Sequence, residues 1–199
     1  TASGGVAGTF DQVLSNSAFL TPTLSYDANN VFLTVALDTS AVGVVVADGE
    51  VLTGTGTWAS IDVLSGGTVS PGTSSVRLGT ISATGPIDFA AGSFYDVDIR
   101  GNGSSDLLTT SGTATLEGGT VRVTALDPET SYQDGQAYTI LTAQGGLTGT
   151  FANAFSNSAF ITPSLSYTGT DTILTIALAT QSDDGIVEVD AGVSLDALM

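Results

Sequence analysis

The chain has 199 residues, of which 20 are acidic, 3 are basic and none is histidine, giving a formal net charge of -17. Nucleic acids and anionic membranes are bound through Lys and Arg, so this balance argues against both as partners. Cysteine is absent, which excludes disulfides and thiolate metal sites. The sequence has no apolar run of about 18 residues, so we expect no membrane insertion by this segment.

The first segment of the chain, residues 4–37, returns as residues 145–178 without a gap, and 19 of the 34 aligned pairs are identical. The most similar part reads "SNSAFLTPTLSY" at 15–26 and "SNSAFITPSLSY" at 156–167. Copies this similar predict one conformation used twice. We therefore expect residues 1–37 to close a preceding repeat unit. We likewise expect residues 38–178 to form one unit that ends in a second cap-like segment at 145–178. Residues 179–199 are expected to form an acidic linker or the start of a next unit.

Between the two copies the sequence indicates β-strands and turns. Short runs such as "VGVVVA", "ASIDVL", "SFYDVDIR", "GTVRVTAL" and "AYTILTA" are rich in β-branched and aromatic residues and alternate apolar with small or polar ones. The stretches "SGG", "SPGTS", "RGNGSS" and "EGG" separate them and have the composition of turns. A β-sandwich or barrel and a β-solenoid both fit an all-β chain of this kind.

The spacing of the arginines favours the solenoid. Arg77, Arg100 and Arg122 each follow a Val or Ile and recur at nearly equal intervals. A turn of about 22 residues would stack the three arginines at the spacing between strands, with Asp96, Asp98 and Glu117 in partial compensation. In this arrangement the inward, apolar alternates are Val44, Val46, Ile61, Val63, Val76, Leu78, Ile87, Phe89, Val97, Ile99, Val121, Val123 and Ile140.

Three longer stretches, "GTGTWASIDVLSGGTVSPG", "FAAGSFYDVDIRGNGSSDLLTTSGTATLEGGTVRV" and "YQDGQAYTILTAQGGLTGTFANAFSNSAFITPSLSY", closely resemble bacterial autotransporter passengers, type V secreted proteins with autotransporter-associated β-strand repeats. The resemblance implies a right-handed parallel β-helix of the pertactin and pectate-lyase-like kind, with cap-like hairpin segments, exported to the cell surface or released. It also implies that residues 138–141, 149–151 and 165–167, with 8–10 and 24–26 in the first copy, belong to a cap that assists folding. The chain departs from the family pattern in that only about twenty residues follow Leu178, with no transmembrane barrel among them.

A search for catalytic and metal-binding groups gives few candidates. Without His or Cys, neither a Ser-His-Asp nor a Cys-His site can be built from this chain. Asp96 and Asp98 lie two apart on one predicted strand face and, with Asp88, are the best candidates for paired-carboxylate hydrolysis, although solubilising surface residues explain them more simply. Two further pairs of oxygen-bearing residues are considered as calcium ligands. Asn102 with Asp106 is interpreted as part of a turn, and Asp183 with Asp184 as part of a solvated linker.

The aromatic residues also favour packing over binding. Trp58, the sole tryptophan, lies at a predicted strand and is interpreted as cover for a solenoid edge in preference to a sugar platform. Phe10 and Phe19 recur as Phe151 and Phe160, which indicates core packing. We therefore predict no catalytic residue, no metal site and no cofactor, and that the protein is not an enzyme.

Together these observations predict a rigid stalk or adhesin stem of an exported bacterial protein, acting as scaffold and folding cap. The expected partners are neighbouring repeat units or copies of the same chain that stack end to end, and a host or cell-surface glycan or protein. The alternatives are a carbohydrate-active β-helix enzyme and a self-assembling filament or surface-layer module.

Overall fold

The structure is a computed structural model that describes residues 3–14, 20–37, 39 and 42–179. Nearly all of its regular structure is β-strand, and the exception is a short 3-10 turn at Glu129–Ser131. Among these residues no helix is long and apolar enough to cross a membrane.

Most strands belong to three sheets that run side by side along the molecule. Sheet 1 contains β3 (Val44–Val46), β6 (Ile61–Val63), β9 (Ile87–Phe89), β12 (Ala114–Glu117) and β15 (Leu147–Thr150). Sheet 2 contains β4 (Val51–Gly54), β7 (Thr68–Pro71), β10 (Phe94–Ile99), β13 (Thr120–Ala125) and β16 (Asn153–Ser156). Sheet 3 contains β5 (Gly56–Trp58), β8 (Thr80–Ala83), β11 (Leu107–Thr110), β14 (Ala137–Ala143), β18 (Asp171–Leu178) and β17 (Ile161–Tyr167). The remaining strands, β1 (Leu20–Tyr26) and β2 (Val31–Leu37), form a hairpin of their own.

The chain visits the three sheets in a fixed order, and this makes the fold a parallel β-helix. Each rung contributes one strand to sheet 1, one to sheet 2 and one to sheet 3, and strands of successive rungs pair in parallel. Four complete rungs run from β3 to β14, and β15 and β16 begin a fifth. The predicted all-β parallel β-helix with cap-like hairpins is confirmed.

The constant rung length predicted from the arginine spacing is wrong. The successive in-register positions in sheet 1 are Val44, Ile61, Ile87, Ala114 and Leu147, so the rung length nearly doubles from the first interval to the last. The difference arises because the strands are short and similar in length, whereas the loops at the corners vary freely outside the stack. A spacing measured along the sequence therefore does not report the rung.

The predicted ladder of stacked arginines is wrong for the same reason. Arg122 lies in β13, where its register partner on β10 is Asp96, whereas Arg77 and Arg100 lie in loops outside the strands. Neighbouring rungs thus set Arg against Asp and avoid the repulsion of stacked like charges.

The interior of the helix is filled by alternate residues of all three sheets. Most of the predicted inward residues are buried, among them Ile61, Val63, Ile87, Phe89, Val97, Ile99, Val121, Val123 and Ile140. Val76 is a wrong prediction, because it lies in the loop between β7 and β8 and its side chain is 64% exposed. The core includes an aromatic cluster in which Phe151 contacts Phe89 edge-on, with ring centroids 5.2 Å apart, and Tyr95 at 6.2 Å.

One corner of the helix is a column of glycines. A side chain on Gly112 would place Cβ 2.6 Å from the backbone of Gly85 one rung below, and Gly145 would meet Gly112 in the same way at 2.7 Å. The column is tied by backbone hydrogen bonds, since the Gly145 amide donates to the Gly112 carbonyl oxygen at 2.8 Å. Only glycine permits rungs to approach this closely.

The hairpin β17–β18, here called the second hairpin, closes sheet 3 above β14. Strand β18 pairs antiparallel with β14, so the run of parallel strands ends there. Its apolar residues Leu174 and Ile176 are fully buried. The outer strand β17 carries Pro163, which lacks an amide proton, and a proline on an edge strand discourages further pairing.

The hairpin β1–β2, here called the first hairpin, repeats the second one in detail. Its register from Leu20↔Leu37 to Tyr26↔Val31 matches that from Ile161↔Leu178 to Tyr167↔Thr172. The predicted shared conformation of the copies therefore holds for both hairpins. The predicted unit boundaries stay predictions, and the acidic segment 180–199 lies outside the described residues.

Candidate functional site

A polar groove lies on the outer face of sheet 2. It has a volume of about 360 Å³ and crosses the strands from β4 to β16. Its walls are hydroxyl, amide and charged side chains, including Thr53, Ser70, Arg77, Asp96, Asp98, Arg122, Thr124 and Asn157. The alternation of β10 and β13 places these groups outward, because every second residue of both strands fills the core.

At one end of the groove Asp98 forms a paired contact with Arg77. The Arg77 Nε donates to Asp98 Oδ2 at 2.8 Å and its Nη2 donates to Oδ1 at 3.0 Å. The nearby carboxylate raises the pKa of the Arg77 guanidinium. This contact fastens the exposed loop between β7 and β8 to the rung above it.

The centre of the groove contains the second pair, between Asp96 and Arg122. The Arg122 Nε and Nη2 donate to the two oxygens of Asp96 at 2.5 and 2.9 Å. The guanidinium also lies over the ring of Phe94, 4.3 Å from its centroid, which adds a cation–π contact. Arg122 is thereby held in one orientation across two rungs.

Both carboxylates of the predicted catalytic pair are thus occupied by guanidinium groups. Paired-carboxylate hydrolysis needs one carboxyl group that is protonated near neutral pH and one that is free to act as nucleophile or base. Asp88 does not join them, because it lies in sheet 1 with Asp62 as its register partner. Asp96 and Asp98 therefore share one face, as predicted, and each is paired with a guanidinium group.

Beneath the groove lies Asp106, whose side chain is 1% exposed. Its Oδ1 accepts a hydrogen bond from the Gly79 amide at 2.7 Å and its Oδ2 accepts one from the Asp98 amide at 2.9 Å. Burial raises the pKa of Asp106 to about 7 despite these two donors. Asp106 therefore joins two rungs through a carboxyl group that titrates near neutral pH.

This titration predicts a stability that falls as the pH rises. The folded protein holds the Asp106 proton more tightly than the unfolded chain, where the pKa of the carboxyl group is close to its ordinary value of 3.8. Its contribution is therefore complete below about pH 4 and is lost as the pH rises to about 7. We expect the free energy of unfolding of the wild type, minus that of Asp106→Asn, to decrease over this range in urea titrations. A difference that is flat or rises with pH would contradict the assignment.

The loop after β13 carries a further charged contact. Arg100 Nη1 donates to Asp127 Oδ1 at 3.0 Å, and Asp127 Oδ2 accepts from the Gly101 amide at the same distance. The hydroxyl of Tyr138 donates to the Arg100 carbonyl oxygen at 2.9 Å. This contact holds the corner between β13 and β14 against the loop after β10.

The predicted calcium candidates are not brought together. Asn102 Oδ1 accepts from the Ser104 amide in a turn, and both oxygens of Asp106 are used by backbone amides. Within the described residues no three acidic side chains cluster in a way that could hold a metal ion. Asp183 and Asp184 lie outside the described part of the chain.

The aromatic candidates are mostly packing residues. Trp58 ends β5 in the first rung and packs, partly buried, against the core. Phe151 is in the aromatic cluster and Phe160 packs on Tyr132, with ring centroids 5.8 Å apart. Phe10 is 69% exposed, unlike its copy Phe151, and Phe19 is outside the described residues.

Sequence reasoning missed the roles of Asp106 and Asp127. Asp106 follows the turn-rich stretch "RGNGSS" and Asp127 precedes Pro128, so both have the appearance of solvent-facing turn residues. Asp127 and one oxygen of Asp106 have partners about one rung earlier in the chain, on the rung below. These contacts could have been predicted only if the length of the rung had been known.

Comparison with known proteins gives one informative relative. No protein-family model matches the chain. The chain is 31% identical over 164 residues to an extracellular serine protease of Serratia marcescens, an alignment that covers 78% of this chain. It spans 15% of the length of that relative.

This finding contradicts the prediction that the protein is not an enzyme. The relative is named as an extracellular serine protease, and the alignment covers most of this chain. The prediction failed because it considered only the side chains of these 199 residues as candidates for an active site. The chain spans only 15% of the relative, so the side chains of this segment alone do not decide whether a protein of that kind is an enzyme.

Proposed function

We propose that this chain is a β-helical segment of an exported bacterial protein of the autotransporter kind that has serine protease activity as a whole. The observation that carries the proposal is the alignment of a parallel β-helix, over most of its length, with part of an extracellular serine protease. The relative supports an extracellular location for this chain, and the resemblance to passenger regions supports secretion by the type V route.

The role of the segment in such a protein is that of a scaffold and folding cap. Each rung is stabilised by its neighbours, so the stack is rigid and its ends are its weakest points. The second hairpin covers one end by pairing β18 with β14 and burying Leu174 and Ile176. A capped end of this kind supplies a stable nucleus on which further rungs can form as the chain leaves the cell.

The groove on sheet 2 supports a second role, the recognition of a polar ligand. Two guanidinium and two carboxylate groups lie among hydroxyl and amide side chains, which suits the hydroxyl-rich surface of a glycan or the backbone of a peptide. Adhesion to a host or cell-surface glycan or protein, carbohydrate cleavage and filament assembly stay predictions.

The proposal is tested on the complete protein that contains this segment, expressed in a bacterium with an outer membrane. We expect protease activity in the medium that a serine-directed inhibitor abolishes. Leu174→Asp, which places a charge under the second hairpin, should reduce the secreted amount about tenfold and leave the activity per secreted molecule unchanged. Thr162→Asp, on the exposed face of the same hairpin, is the control and should secrete normally.

Two results would overturn the proposal. A medium with ample secreted protein and no inhibitor-sensitive proteolysis would refute the enzymatic part. Normal secretion of Leu174→Asp would refute the role of the hairpin as a folding cap.

A further inference from the structure

The two copies have the same hairpin conformation in different surroundings. In the second copy, the Phe151 ring is buried in the aromatic cluster, and the Phe151 amide donates to the Tyr167 hydroxyl at 3.0 Å. In the first copy, the Phe10 amide donates to the Tyr26 hydroxyl at 2.9 Å, yet the Phe10 side chain is 69% exposed. The internal hydrogen bond of the segment is therefore present in both copies, and the contacts to a rung beneath are found in the second one.

The glycines show the same contrast. In the second copy, Gly145 and Gly149 have backbone directly beneath them, so that an added Cβ would lie 2.7 Å from Gly112 and 2.1 Å from the Leu116 carbonyl oxygen. Their counterparts Gly4 and Gly8 have nothing within 4 Å of such a Cβ. Gly8 keeps the positive φ of its counterpart, 82° against 74°. The first copy is thus shaped for a rung that would lie under it.

Strand β2 has an open edge and an exposed apolar face. In the equivalent strand β18, the same edge pairs with β14 and the same face is buried. Within the described residues β2 pairs with β1 alone, and Leu33 and Val35 are 59% and 50% exposed. Their counterparts Leu174 and Ile176 are fully buried. The Ile176 amide donates to the Gln136 carbonyl oxygen, next to β14, at 3.0 Å. Val35 occupies the same register position in the first hairpin, so its amide points to the open edge of β2.

The other edge of the first hairpin, on β1, is unfavourable for the addition of a strand. Pro22 lies opposite Val35, as Pro163 lies opposite Ile176, and in each case the missing amide proton is on the outer side. A new strand therefore adds more readily to β2 than to β1. The hairpin has one open side, and its copy shows which strand fits that side.

We propose that the first copy docks onto the last rung of a preceding β-helical unit of the same kind, whose β14-type strand pairs antiparallel with β2. The register follows from the second copy: Tyr138, Thr139 and Leu141 of β14 face Leu174, Ile173 and Thr172, so the docked strand places the same three residue types opposite Leu33, Phe32 and Val31. A β12-type strand would lie under residues 6–9, as β12 lies beside β15. The open edge and apolar face of β2, with residues 6–9, thus join consecutive units of an array and do not bind a free ligand.

The test extends the full 199-residue chain at its beginning by a second copy of residues 42–141. Thr1 and Ala2 have the same identities as Thr142 and Ala143, so the added rungs join the chain in the natural order. In the purified extended protein, hydrogen–deuterium exchange of the peptide covering residues 30–37 should slow at least tenfold relative to the unextended chain. It should approach the rate of the peptide covering residues 171–178.

A matched pair of substitutions supplies the control. In the unextended chain Leu174→Asp should lower the melting temperature by about 10 °C or more, whereas Leu33→Asp should change it by less than about 2 °C, because Leu33 is exposed there. In the extended chain Leu33→Asp should become as damaging to the first hairpin as Leu174→Asp is to the second.

The proposal is overturned if exchange at residues 30–37 is unchanged by the extension, or if Leu33→Asp stays harmless in the extended chain. The proposal rests on the internal copies of the β-helix, and the secretion and protease assays described above do not enter its test. Failure of either proposal therefore leaves the other standing.

Discussion

Replacing Phe151 with alanine is expected to lower the free energy of unfolding by about 3–5 kcal/mol. The ring is 5% exposed and packs edge-on against Phe89, so its removal leaves a cavity at the centre of the aromatic cluster. The hydrogen-bonded sheets around the cluster prevent the rungs from collapsing into that cavity. Urea unfolding followed through the fluorescence of Trp58 measures the loss.

The matched control for this substitution is Phe10→Ala. The two phenylalanines occupy the same position of the repeated segment, but Phe10 is 69% exposed. We expect a change within about 0.5 kcal/mol for Phe10→Ala in the unextended chain. Equal losses for the two variants would show that the ring of Phe151 does not hold the cluster together.

Replacing Gly112 with alanine is expected to cost about 3 kcal/mol, although it adds a single methyl group. That methyl carbon would lie 2.6 Å from the carbonyl carbon of Gly85, and backbone cannot turn away as a flexible side chain can. The rungs must separate locally, which weakens the hydrogen bond from the Gly145 amide to the Gly112 carbonyl oxygen. Thermal unfolding of the purified variant measures the effect.

Gly4→Ala is the control for the glycine column. Gly4 is the counterpart of Gly145, and nothing lies within 4 Å of a side chain placed there. Alanine at this position should be neutral or slightly stabilising, since it restricts the unfolded chain. If Gly112→Ala were equally neutral, the close approach of the rungs at this corner would be refuted.

The prediction of the fold from sequence succeeded where the pattern is local. Alternation in "FYDVDI" predicts a buried face and an outward face, and β10 alternates half-buried and buried residues along its whole length. The repeated segment predicts one conformation, and the two hairpins share every register pair. Such signals survive because strand pairing and turn chemistry depend on neighbours in the sequence.

The candidate site was predicted in part. Asp96 and Asp98 do share a face and line a groove, as their spacing of two requires. The predicted compensation of arginines by Asp96 and Asp98 is also found, in the pairs Arg122–Asp96 and Arg77–Asp98. Which arginine meets which carboxylate could not be predicted, since it depends on how the rungs lie beside one another. The arginine spacing suggested a ladder, and the structure replaces it with pairs of opposite charge.

The sequence alone determined the acidic surface, the strand and turn alternation, and the return of segment 4–37 as segment 145–178. The tertiary structure decided the length of each rung, the ion pairs between rungs, and the different surroundings of Phe10 and Phe151. The physical reason is that strand formation follows from local periodicity, whereas contacts between rungs depend on loops whose lengths carry no periodic signal. The two hairpins therefore have the same strand register, and the rung beneath them determines whether equivalent residues such as Leu33 and Leu174 are buried.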